Sequence, residues 1–494
     1  MKGPDPTISL DQLSDAESFQ EPVFLRIARA ISADIARGRF RPGQRLPSSR
    51  ALADSLGVHR NTVLAAYQEL IAEGWLVTRP SGGTFVSSDM VDTRPKAFAR
   101  SAVLRTEVPG RVGFDLAPPP DRFDQPEPPK GALVFASGMP DLRLAPVDDL
   151  SRAYRRALRQ NGGKLLGYGD PAGELRLRSA LASMFADARG LAANESNVIV
   201  TRGSQMAIDL CAKVLFSPGD VVAVEALGYQ PAWAALRASG ARLVPVAVDR
   251  SGMVFDALRA VAERERLRAI YLTPHHQYPT TVSLSPGRRL QVLELAAERR
   301  IAVIEDDYDN EFHYESRPIL PLASADRKGT VLYIGTLSKI LAPALRVGFL
   351  VAPEPFILRA AAMRATMDRQ GDRPVETAVA ELIEDGAVQR HVRRMRGHYA
   401  KRREALAGAL ARHLGAAVRF DLPQGGMAIW VEVDSTINVE KWAENARAQG
   451  VIATTAKRFA FDGRARNFFR LGFANLNEKE IEEGVLRLKK ALRV

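Results

Sequence analysis

Cysteine is almost absent from this chain of 494 residues, which contains only Cys211. A single thiol cannot form an intramolecular disulfide framework or a thiolate metal cluster, so both classes of protein are excluded. The same scarcity fits a reducing, cytoplasmic compartment. Cys211 lies among apolar neighbours in a helical pattern, and we expect it to be an inert core thiol.

Long apolar runs are missing as well. The first ten residues include Lys2, Asp5 and two prolines, and no later stretch reaches about 18 uncharged apolar residues. We therefore expect a protein that is neither secreted nor membrane-spanning. The composition, 46% hydrophobic and 26% charged, is that of ordinary globular proteins and excludes intrinsic disorder and collagen-like repeats.

Basic residues outnumber acidic residues, 69 to 57, which gives a formal net charge of +12. This excess is compatible with a polyanionic partner such as nucleic acid, although metabolic enzymes can also be basic. At about 100 to 200 residues per domain, the length predicts two to four domains.

Composition divides the chain into four segments. Residues 1–21 are predicted to be a flexible leader, residues 22–88 a small helical domain, residues 89–130 a proline-bearing linker, and residues 131–494 a large domain. In the large domain, short β-branched runs alternate with amphipathic helices, which predicts a mainly parallel α/β sheet. From about Arg373 onwards helices dominate, and we expect a second, smaller α+β lobe.

The small domain has the order of a winged helix-turn-helix. Ser48 or Ser49 can cap a short helix, Gly57 permits a left-handed turn, and a second helix begins at about Arg60. Two short β segments joined by glycines then predict a hairpin wing.

Polar side chains at the start of this second helix predict contact with DNA, because a recognition helix enters the major groove at that end. We expect Arg60 and Asn61 to contact base edges and neighbouring arginines to contact phosphates. Nine arginines and four acidic residues give residues 22–88 a net charge of +5. The candidate DNA-binding residues are Arg45, Arg50, His59, Arg60, Asn61, Thr62, Gly82 and Gly83.

A helical domain of this size can also mediate protein contacts alone. However, residues 22–88 resemble the winged-helix domain of GntR-family transcription regulators over their whole length, through the string RPGQRLPSSRALADSLGVHRNTVLAAYQELIAEGWL followed by GGTFV. The resemblance implies a dimer that binds double-stranded operator DNA, with the turn at Gly82 and Gly83 lying at the minor groove.

In the large domain, the segment YIGTLSKILAPALRVGF places Lys339 after a predicted strand. A lysine desolvated at a strand end has a lowered pKa and can condense with an aldehyde. Thr336, Ser338 and Arg346 supply the hydroxyls and the cation that suit a phosphate ester. About thirty residues earlier, Asp306 follows another predicted strand, and a carboxylate beside a protonated pyridine nitrogen suits pyridoxal phosphate.

Two further segments indicate the same chemistry. TRGSQMAIDL places Ser204 and Gln205 at a helix N-terminus, where backbone N–H groups attract phosphate. EALGYQP supplies Tyr229, which either lies over a pyridine ring or packs structurally. The adjacent His275 and His276 have no paired ligands in a metal-binding spacing, so we expect no metal site.

Residues 132–494 resemble fold type I pyridoxal 5'-phosphate aminotransferases, through GYGDPAGELRLR, TRGSQ, EALGYQP, TPHHQYPTT, EDDYDNEF, GTLSKILAPALRVGF and RLGFANL in the family's order. The resemblance implies that Lys339 attaches the cofactor, Asp306 binds its pyridine nitrogen, Tyr308 its phenolic oxygen, and Arg470 an amino-acid carboxylate. The other implied contacts are Ser204, Gln205, Thr336 and Arg346 at the phosphate, Tyr229 on the ring, Tyr168 at the neighbouring subunit's phosphate, and His276 or Gln277 in place of the family's asparagine.

A GntR-type winged helix joined to an aminotransferase-like domain is the architecture of MocR-type regulators, which the chain resembles from residue 22 to its end. This implies a head-to-tail homodimer and regulation by pyridoxal phosphate, or by an amino-acid-like effector through aldimine exchange at Lys339. The branch that senses γ-aminobutyrate has an arginine where this chain has Pro231, so the effector stays open. An active aminotransferase with an accessory DNA-binding domain is the alternative; a regulator is favoured.

Overall fold

The computed structural model describes residues 22–79, 82–88, 112–116, 128–135, 138–314 and 319–492. The chain divides into two compact units, residues 1–117 and residues 118–494. The predicted leader and most of the predicted linker lie outside the described residues. Among the helices that are described, none is both long and apolar enough to cross a bilayer.

The N-terminal unit contains three helices and a β-hairpin, in the order that the sequence predicts. The elements are α1 (Val23–Ala36), α2 (Ser49–Leu56), α3 (Arg60–Ala72), β1 (Leu76–Arg79) and β2 (Gly83–Val86). The Ser48 hydroxyl caps α2 by accepting the Ala51 N–H at 3.2 Å. Gly57 ends α2 with a φ of 63°, a left-handed conformation that favours glycine. These two signals fix the turn before α3.

A small core of its own holds this unit together. Ile31, Val63 and Leu70 are fully buried between α1 and α3, and the Tyr67 hydroxyl donates to the Pro47 carbonyl at 2.8 Å. The hairpin is antiparallel, with Leu76 paired to Val86. Because its apolar face is packed in this core, α3 is fixed with its N-terminal end at the surface.

The large unit contains fifteen strands and twelve helices among its described residues. The strands are β3 (Leu133–Val134), β4 (Val198–Thr201), β5 (Val221–Glu225), β6 (Arg242–Val246), β7 (Val248–Asp249), β8 (Gly252–Met253), β9 (Leu267–Leu272), β10 (Ala302–Asp307), β11 (Val331–Thr336), β12 (Gly348–Val351), β13 (Val418–Phe420), β14 (Ala428–Val433), β15 (Val451–Ile452), β16 (Thr454–Thr455) and β17 (Phe468–Gly472). The helices are α4 (Val147–Leu166), α5 (Leu175–Arg189), α6 (Ser204–Leu215), α7 (Gln230–Ala238), α8 (Phe255–Arg264), α9 (Pro286–Arg299), α10 (Leu322–Ala325), α11 (Glu354–Met367), α12 (Arg373–Glu384), α13 (Ala387–Leu414), α14 (Val439–Ala448) and α15 (Glu478–Leu492).

Seven strands form the central sheet, in the order β4, β12, β11, β10, β9, β5 and β6. Neighbours are parallel except β12, which runs antiparallel to β11 and to β4. All residues of β5 and β11 are buried, as expected when helices cover both faces of a parallel sheet. The carboxyl ends of the parallel strands meet at one edge, where ligands bind in such sheets.

Two sequence-based boundaries need correction. The sequence predicts that Asp306 lies just past a strand. In the structure β10 continues to Asp307, so Asp306 is the last but one residue of the strand. The hairpin strands, which the sequence predicts at residues 75–78 and 84–86, are Leu76–Arg79 and Gly83–Val86. Both differences arise because pairing with a neighbouring strand continues into polar residues that a hydrophobic pattern leaves out.

The smaller lobe is built on an antiparallel sheet in the order β13, β14, β17 and β16. The long helix α13, together with α14 and α15, covers one face around Trp442, Phe469 and Leu471. Alternation along β17 buries Phe469 and Leu471 in this core and directs Arg470 to the opposite face. This arrangement confirms the α+β lobe and brings Arg470 to the site.

Candidate functional site

Lys339 lies in the turn after β11, at the carboxyl edge of the central sheet. Burial lowers the pKa of its ammonium group; Asp309 and Asp306 oppose this shift, whereas Arg346 and Arg470 reinforce it. A lowered pKa increases the share of neutral amine, which is the form that attacks an aldehyde carbon. The structure therefore gives Lys339 the surroundings of a reactive lysine rather than those of a solvated one.

Asp306 is a buried carboxylate with one oxygen satisfied and the other free. The Tyr271 hydroxyl donates to Oδ2 at 2.7 Å, and Oδ1 has no hydrogen-bond partner among the described residues. Burial raises the pKa of Asp306 to about 6, and the Tyr271 hydrogen bond opposes that shift. A buried acceptor without a donor is costly, and a protonated pyridine nitrogen is a donor that fits Oδ1.

The start of α6 and Arg346 form a corner whose groups suit an anion. The helix begins at Ser204 with no side-chain cap, so its first N–H groups are available to a ligand. Behind it lies Arg346: a Cβ added at Gly203 would be 3.1 Å from the Arg346 Nη1 atom, so a glycine is needed for this approach. The buried Ser338 Oγ has no partner among the described residues. A cation, a hydroxyl and a helix N-terminus together suit a phosphate.

Gln205 and Thr336 lie at the same corner but are partly engaged by the protein. Gln205 donates through Nε2 to the Pro231 carbonyl at 2.8 Å, while its Oε1 is buried without a partner in the described part of the chain. The Thr336 hydroxyl donates to the Val347 carbonyl at 3.3 Å and accepts the Ser338 N–H at 3.1 Å. Thr336 thus shapes the turn, and its contact with phosphate stays a prediction.

Three half-buried tyrosines face one another at the site. Tyr229 and Tyr308 both pack edge-on against Tyr278, with ring centroids 5.5 Å and 5.8 Å away. The Tyr308 hydroxyl donates to the His276 carbonyl at 3.0 Å. Burial raises the pKa of Tyr229, and the charge of Asp306 raises it further, which places the two groups within electrostatic reach. Tyr278 was not predicted to belong to the site.

Arg470 is fully buried on β17. Its Nη1 donates to the Pro279 carbonyl at 2.9 Å, while Nε and Nη2 have no hydrogen-bond partner among the described residues. The guanidinium carbon lies 4.6 Å from the centroid of the Tyr278 ring. Two free N–H groups on a buried cation are suited to a carboxylate.

The loop that carries the two histidines is held by the protein itself. The His276 Nδ1 atom is 2.8 Å from the Asp309 Oδ1 atom, and a Cβ added at Gly425 would lie 2.4 Å from Nε2. Gln277 donates through Nε2 to the Leu227 carbonyl at 2.8 Å and to the Tyr278 carbonyl at 2.6 Å. Both side chains have protein partners, and the predicted contact of His276 with the cofactor stays a prediction.

Sequence reasoning missed four residues of this site: Tyr271, Asp309, Tyr278 and Glu225. Glu225 ends β5, is buried, and accepts both the N–H and the hydroxyl of Thr273, at 3.1 Å and 2.8 Å. Burial raises its pKa to about 8. A signal existed for three of them, since Asp309, Glu225 and Tyr278 stand inside quoted motifs.

Tyr168 lies elsewhere on the surface, and 79% of the residue is exposed. The Arg369 guanidinium lies 4.5 Å from its ring centroid. An exposed aromatic of this kind is available to a neighbouring molecule, and its predicted role at another subunit's phosphate stays a prediction.

The N-terminal end of α3 presents polar side chains to solvent. His59, Arg60 and Asn61 are exposed, and the His59 Nδ1 atom caps the helix by accepting the Asn61 N–H at 3.3 Å. Arg60 donates through Nε to the Ser49 hydroxyl at 3.4 Å, which links α2 to α3. Arg50 is exposed on α2. These groups have the exposure that contact with DNA requires.

The wing brings two further predicted residues together. Arg45 pairs with Phe85 of β2 through an isolated β-bridge, and a Cβ added at Gly83 would lie 3.1 Å from the Arg45 Nε atom. Gly83 has a φ of 100°, so glycine is favoured for its conformation and for this close approach. Arg45 and the wing therefore form one exposed basic surface.

Family models match both parts of the chain. Residues 132–488 match the family described as aminotransferase class I and II, and residues 24–86 match bacterial regulatory proteins of the gntR family. The first match covers most of the large unit, and the second covers the helices and hairpin of the N-terminal unit.

Similar proteins span nearly the whole chain. The probable rhizopine catabolism regulatory protein MocR of Rhizobium meliloti is 31% identical over 475 residues, which are 95% of this chain and 94% of that protein. The HTH-type transcriptional regulator TauR of Rhodobacter capsulatus is 34% identical over 481 residues, which cover 95% and 96%. LysN, an α-aminoadipate aminotransferase of Thermus thermophilus solved with N-(5'-phosphopyridoxyl)-L-leucine, superimposes with a TM-score of 0.69 at 32% identity, covering 74% of this chain and 92% of its own.

Proposed function

Because this chain belongs to the MocR-type regulators, in which a GntR-type winged helix precedes a fold type I aminotransferase domain, we propose that it senses an amino-acid-like effector, or pyridoxal phosphate itself, at Lys339. It is a pyridoxal phosphate-dependent transcription regulator that binds operator DNA. We propose that it acts in the cytoplasm. One observation carries the proposal: the charges of Asp306 and Arg470 both act on the pKa of Lys339, and both groups keep buried polar atoms without a partner among the described residues, Oδ1 in Asp306 and Nε and Nη2 in Arg470.

The residues present fit the cofactor. Pyridoxal phosphate supplies an aldehyde carbon and an electron-withdrawing ring when bound. Lys339 would hold the aldehyde carbon, Asp306 the pyridine nitrogen, and Tyr308 the phenolic oxygen. The phosphate would lie against Ser204, Gln205, Thr336, Ser338 and Arg346, with Tyr229 on the ring.

Arg470 and Lys339 account for the response to an effector. Arg470 would bind the effector's carboxylate through Nε and Nη2, and the effector's amine would compete with Lys339 for the cofactor. When it does not hold the cofactor, Lys339 would be a free amine near Asp306 and Asp309, whose charges favour its protonated form whereas burial favours the neutral one. The effector changes operator affinity only if the protein has two states of different operator affinity and the effector makes different contacts in each. This is the condition for allosteric coupling.

We also infer a head-to-tail homodimer. The large unit exposes apolar side chains along α4 and at the start of α5, including Val147, Leu166 and Leu175, with 64%, 74% and 57% of each residue accessible. A groove of about 680 Å³, which Val147 and Tyr154 help to line, runs beside them. The exposed apolar residues at this groove favour a subunit interface, and the exposed Tyr168 would then reach the partner. Sedimentation of the full chain should show a dimer, and Val147→Glu should shift it towards monomer.

Lys339→Ala in the full chain tests the proposal, with Lys328→Ala, an exposed lysine of the same unit, as its control. The operator is first identified by sequencing the genomic fragments that the cofactor-loaded protein retains at moderate salt; enrichment of a few intergenic sites is expected. Lys339→Ala should then lose the absorbance of attached cofactor and the effect of amino acids on operator affinity, yet still bind the operator. An unaltered effector response in Lys339→Ala would overturn the proposal.

A working aminotransferase is the second candidate, because an aminotransferase is 32% identical to this chain over 74% of its length. Incubation of the loaded protein with an amino acid and a keto acid separates the two functions. A regulator should consume at most one equivalent of amino acid per site, whereas sustained turnover would favour the enzyme.

A further inference from the structure

Aromatic rings surround the carboxylate-binding side of the pocket, although aromatic residues make up only 7% of the chain. Tyr278 packs edge-on against three of them, with centroids 5.5 Å away for Tyr229, 5.8 Å for Tyr308 and 5.3 Å for Phe459. We propose that this cluster selects an α-amino acid with an aromatic side chain as the effector, and that Tyr278 determines this specificity. The inference rests on the proposed function, because it concerns the ligand of the same site.

The sheet of the smaller lobe places further rings next to Arg470. Arg470 of β17 is paired with Trp430 of β14, and directly opposite residues share a face of the sheet. Phe468 stands two residues before Arg470 and therefore lies on that face too. The Trp430 and Phe468 rings stack, with centroids 5.1 Å apart and planes at 11°. Arg470 thus stands beside an aromatic surface.

This surface is joined to the tyrosines of the central sheet. Phe459, at the end of the short 3-10 helix Ala456–Phe459, has its ring centroid 6.2 Å from that of Trp430. Its carbonyl accepts the Gly228 N–H at 2.9 Å, immediately before Tyr229. This backbone hydrogen bond places Phe459 next to Tyr229 and so brings rings from the two lobes together.

The orientation of Arg470 decides where a ligand's side chain lies. The guanidinium carbon of Arg470 lies over the Tyr278 ring, and Nη1 is engaged by the Pro279 carbonyl. A carboxylate can therefore approach Nε and Nη2 along one edge, in the plane of the guanidinium. The charge of Arg470 lowers the pKa of Lys339, so the two groups are within electrostatic reach of one another. A ligand whose carboxylate and amine are close together can reach both.

An α-amino acid held in this way has its side chain against half-buried tyrosine rings. Edge-on and offset contacts between aromatic rings add to the gain from apolar burial, so an aromatic side chain should bind about tenfold more tightly than an aliphatic one of similar size. A competing feature is Arg458, whose charge lowers the pKa of Tyr278 against the raising effect of burial. Arg458 would favour a second carboxylate, and an acidic amino acid is therefore the main alternative.

The experiment uses the cofactor-loaded full chain and titrates it with L-phenylalanine, L-leucine and L-glutamate. Two readouts are followed, the absorbance of the bound cofactor and the midpoint of thermal unfolding. We expect L-phenylalanine to bind about tenfold more tightly than the other two. Tyr278→Phe should keep this preference because the ring remains, and Tyr278→Leu should reduce it below threefold. Phe420→Leu, in β13 of the smaller lobe and outside these ring contacts, is the control and should keep it.

The outcomes separate this inference from the proposed function. If none of the three amino acids changes either readout, the inference is overturned and the proposed function is reduced to its other form, in which pyridoxal phosphate itself is the effector. If amino acids do change the readouts but L-leucine or L-glutamate binds as tightly as L-phenylalanine, only the aromatic preference is overturned. A tenfold preference that survives Tyr278→Leu would overturn the role of Tyr278.

Discussion

The DNA-binding surface and the cofactor pocket hold their charged groups in opposite ways. Arg50 and Arg60 lie exposed on neighbouring helices and are positioned by a cap, a turn and a small local core. Asp306 and Arg470 are buried, and they come from positions more than 160 residues apart in the chain.

This difference predicts different sensitivities. Exposed charges act on phosphates through solvent and lose affinity as salt rises. Buried charges are little screened, but an unpaired one carries a large free-energy cost. The pocket should therefore respond strongly to the loss of one hydrogen-bond partner, and the DNA surface should respond to ionic strength.

The largest effect is expected for Asp306→Asn. A charge-assisted hydrogen bond of about 2 to 3 kcal/mol to the pyridine nitrogen would be lost, which corresponds to roughly 30- to 150-fold weaker cofactor binding. Tyr271→Phe keeps the carboxylate and removes one neutral hydrogen-bond donor, so cofactor binding should weaken only about fivefold. Cofactor titration by absorbance measures both, and equal effects of the two variants would contradict the role of Asp306.

Arg60→Ala should weaken operator binding by about 1 to 3 kcal/mol and relax the sequence preference, because Arg60 is expected to read a base edge. Arg50→Ala should instead weaken binding to all sequences alike and lower the salt slope by about 1. Anisotropy titrations with operator and random duplexes at several salt concentrations separate the two. Neither variant should change the absorbance of the bound cofactor. A change in that absorbance would show that these arginines influence the cofactor pocket.

Glu225→Gln should change how stability depends on pH. The pKa of Glu225 is raised to about 8 by burial. Between the ordinary pKa of about 4.5 and this value, the folded carboxyl keeps a proton that the unfolded chain has lost. Wild-type stability therefore falls as pH rises through this window, by at most about 1.4 kcal/mol per pH unit, and the glutamine variant lacks this contribution.

Thermal midpoints of the cofactor-free protein between pH 5.5 and 8.5 measure the effect. The difference in thermal midpoint, wild type minus Glu225→Gln, should decrease as pH rises, whatever its value at pH 5.5. Parallel curves would contradict the buried, protonated state of this carboxyl.

The smallest effect is expected for Gly57→Ala in the turn before α3. A left-handed φ of 63° costs an alanine about 1 kcal/mol, so the N-terminal unit should unfold more easily and bind operator more weakly. Gly287→Ala in α9 is the matched control, because an added Cβ there meets open space. It should leave stability unchanged or raise it slightly. Similar losses of stability in both variants would show that the turn at Gly57 does not require glycine.

Local signals explain which parts of the fold could be predicted from the sequence. The cap at Ser48, the turn at Gly57 and the β-branched runs of the central sheet each depend on a few adjacent residues, and the structure confirms them. Lys339 and Asp306 were also identifiable, because each stands inside a motif at a strand end. The resemblance to known families then supplied roles that spacing alone does not give.

Partners across long distances in the chain could not be predicted. The Tyr271 hydroxyl meets Asp306 from 35 residues away, and Tyr278 meets Phe459 from a different lobe. Such contacts depend on how the strands and lobes pack against one another. Residue types and hydrophobic periodicity do not indicate this packing. The same holds for His276, whose partnership with Asp309 is visible only in the fold.

The central claim is the proposal that binding of an effector at Lys339 changes the affinity of the chain for its operator. The most direct test measures the affinity of the cofactor-loaded full chain for an effector amino acid with and without saturating operator duplex. Coupling is reciprocal, so the affinity should change by the same factor by which the amino acid changes operator affinity, on the order of 5- to 150-fold. Identical amino-acid affinities with and without operator, with both ligands bound, would contradict the account.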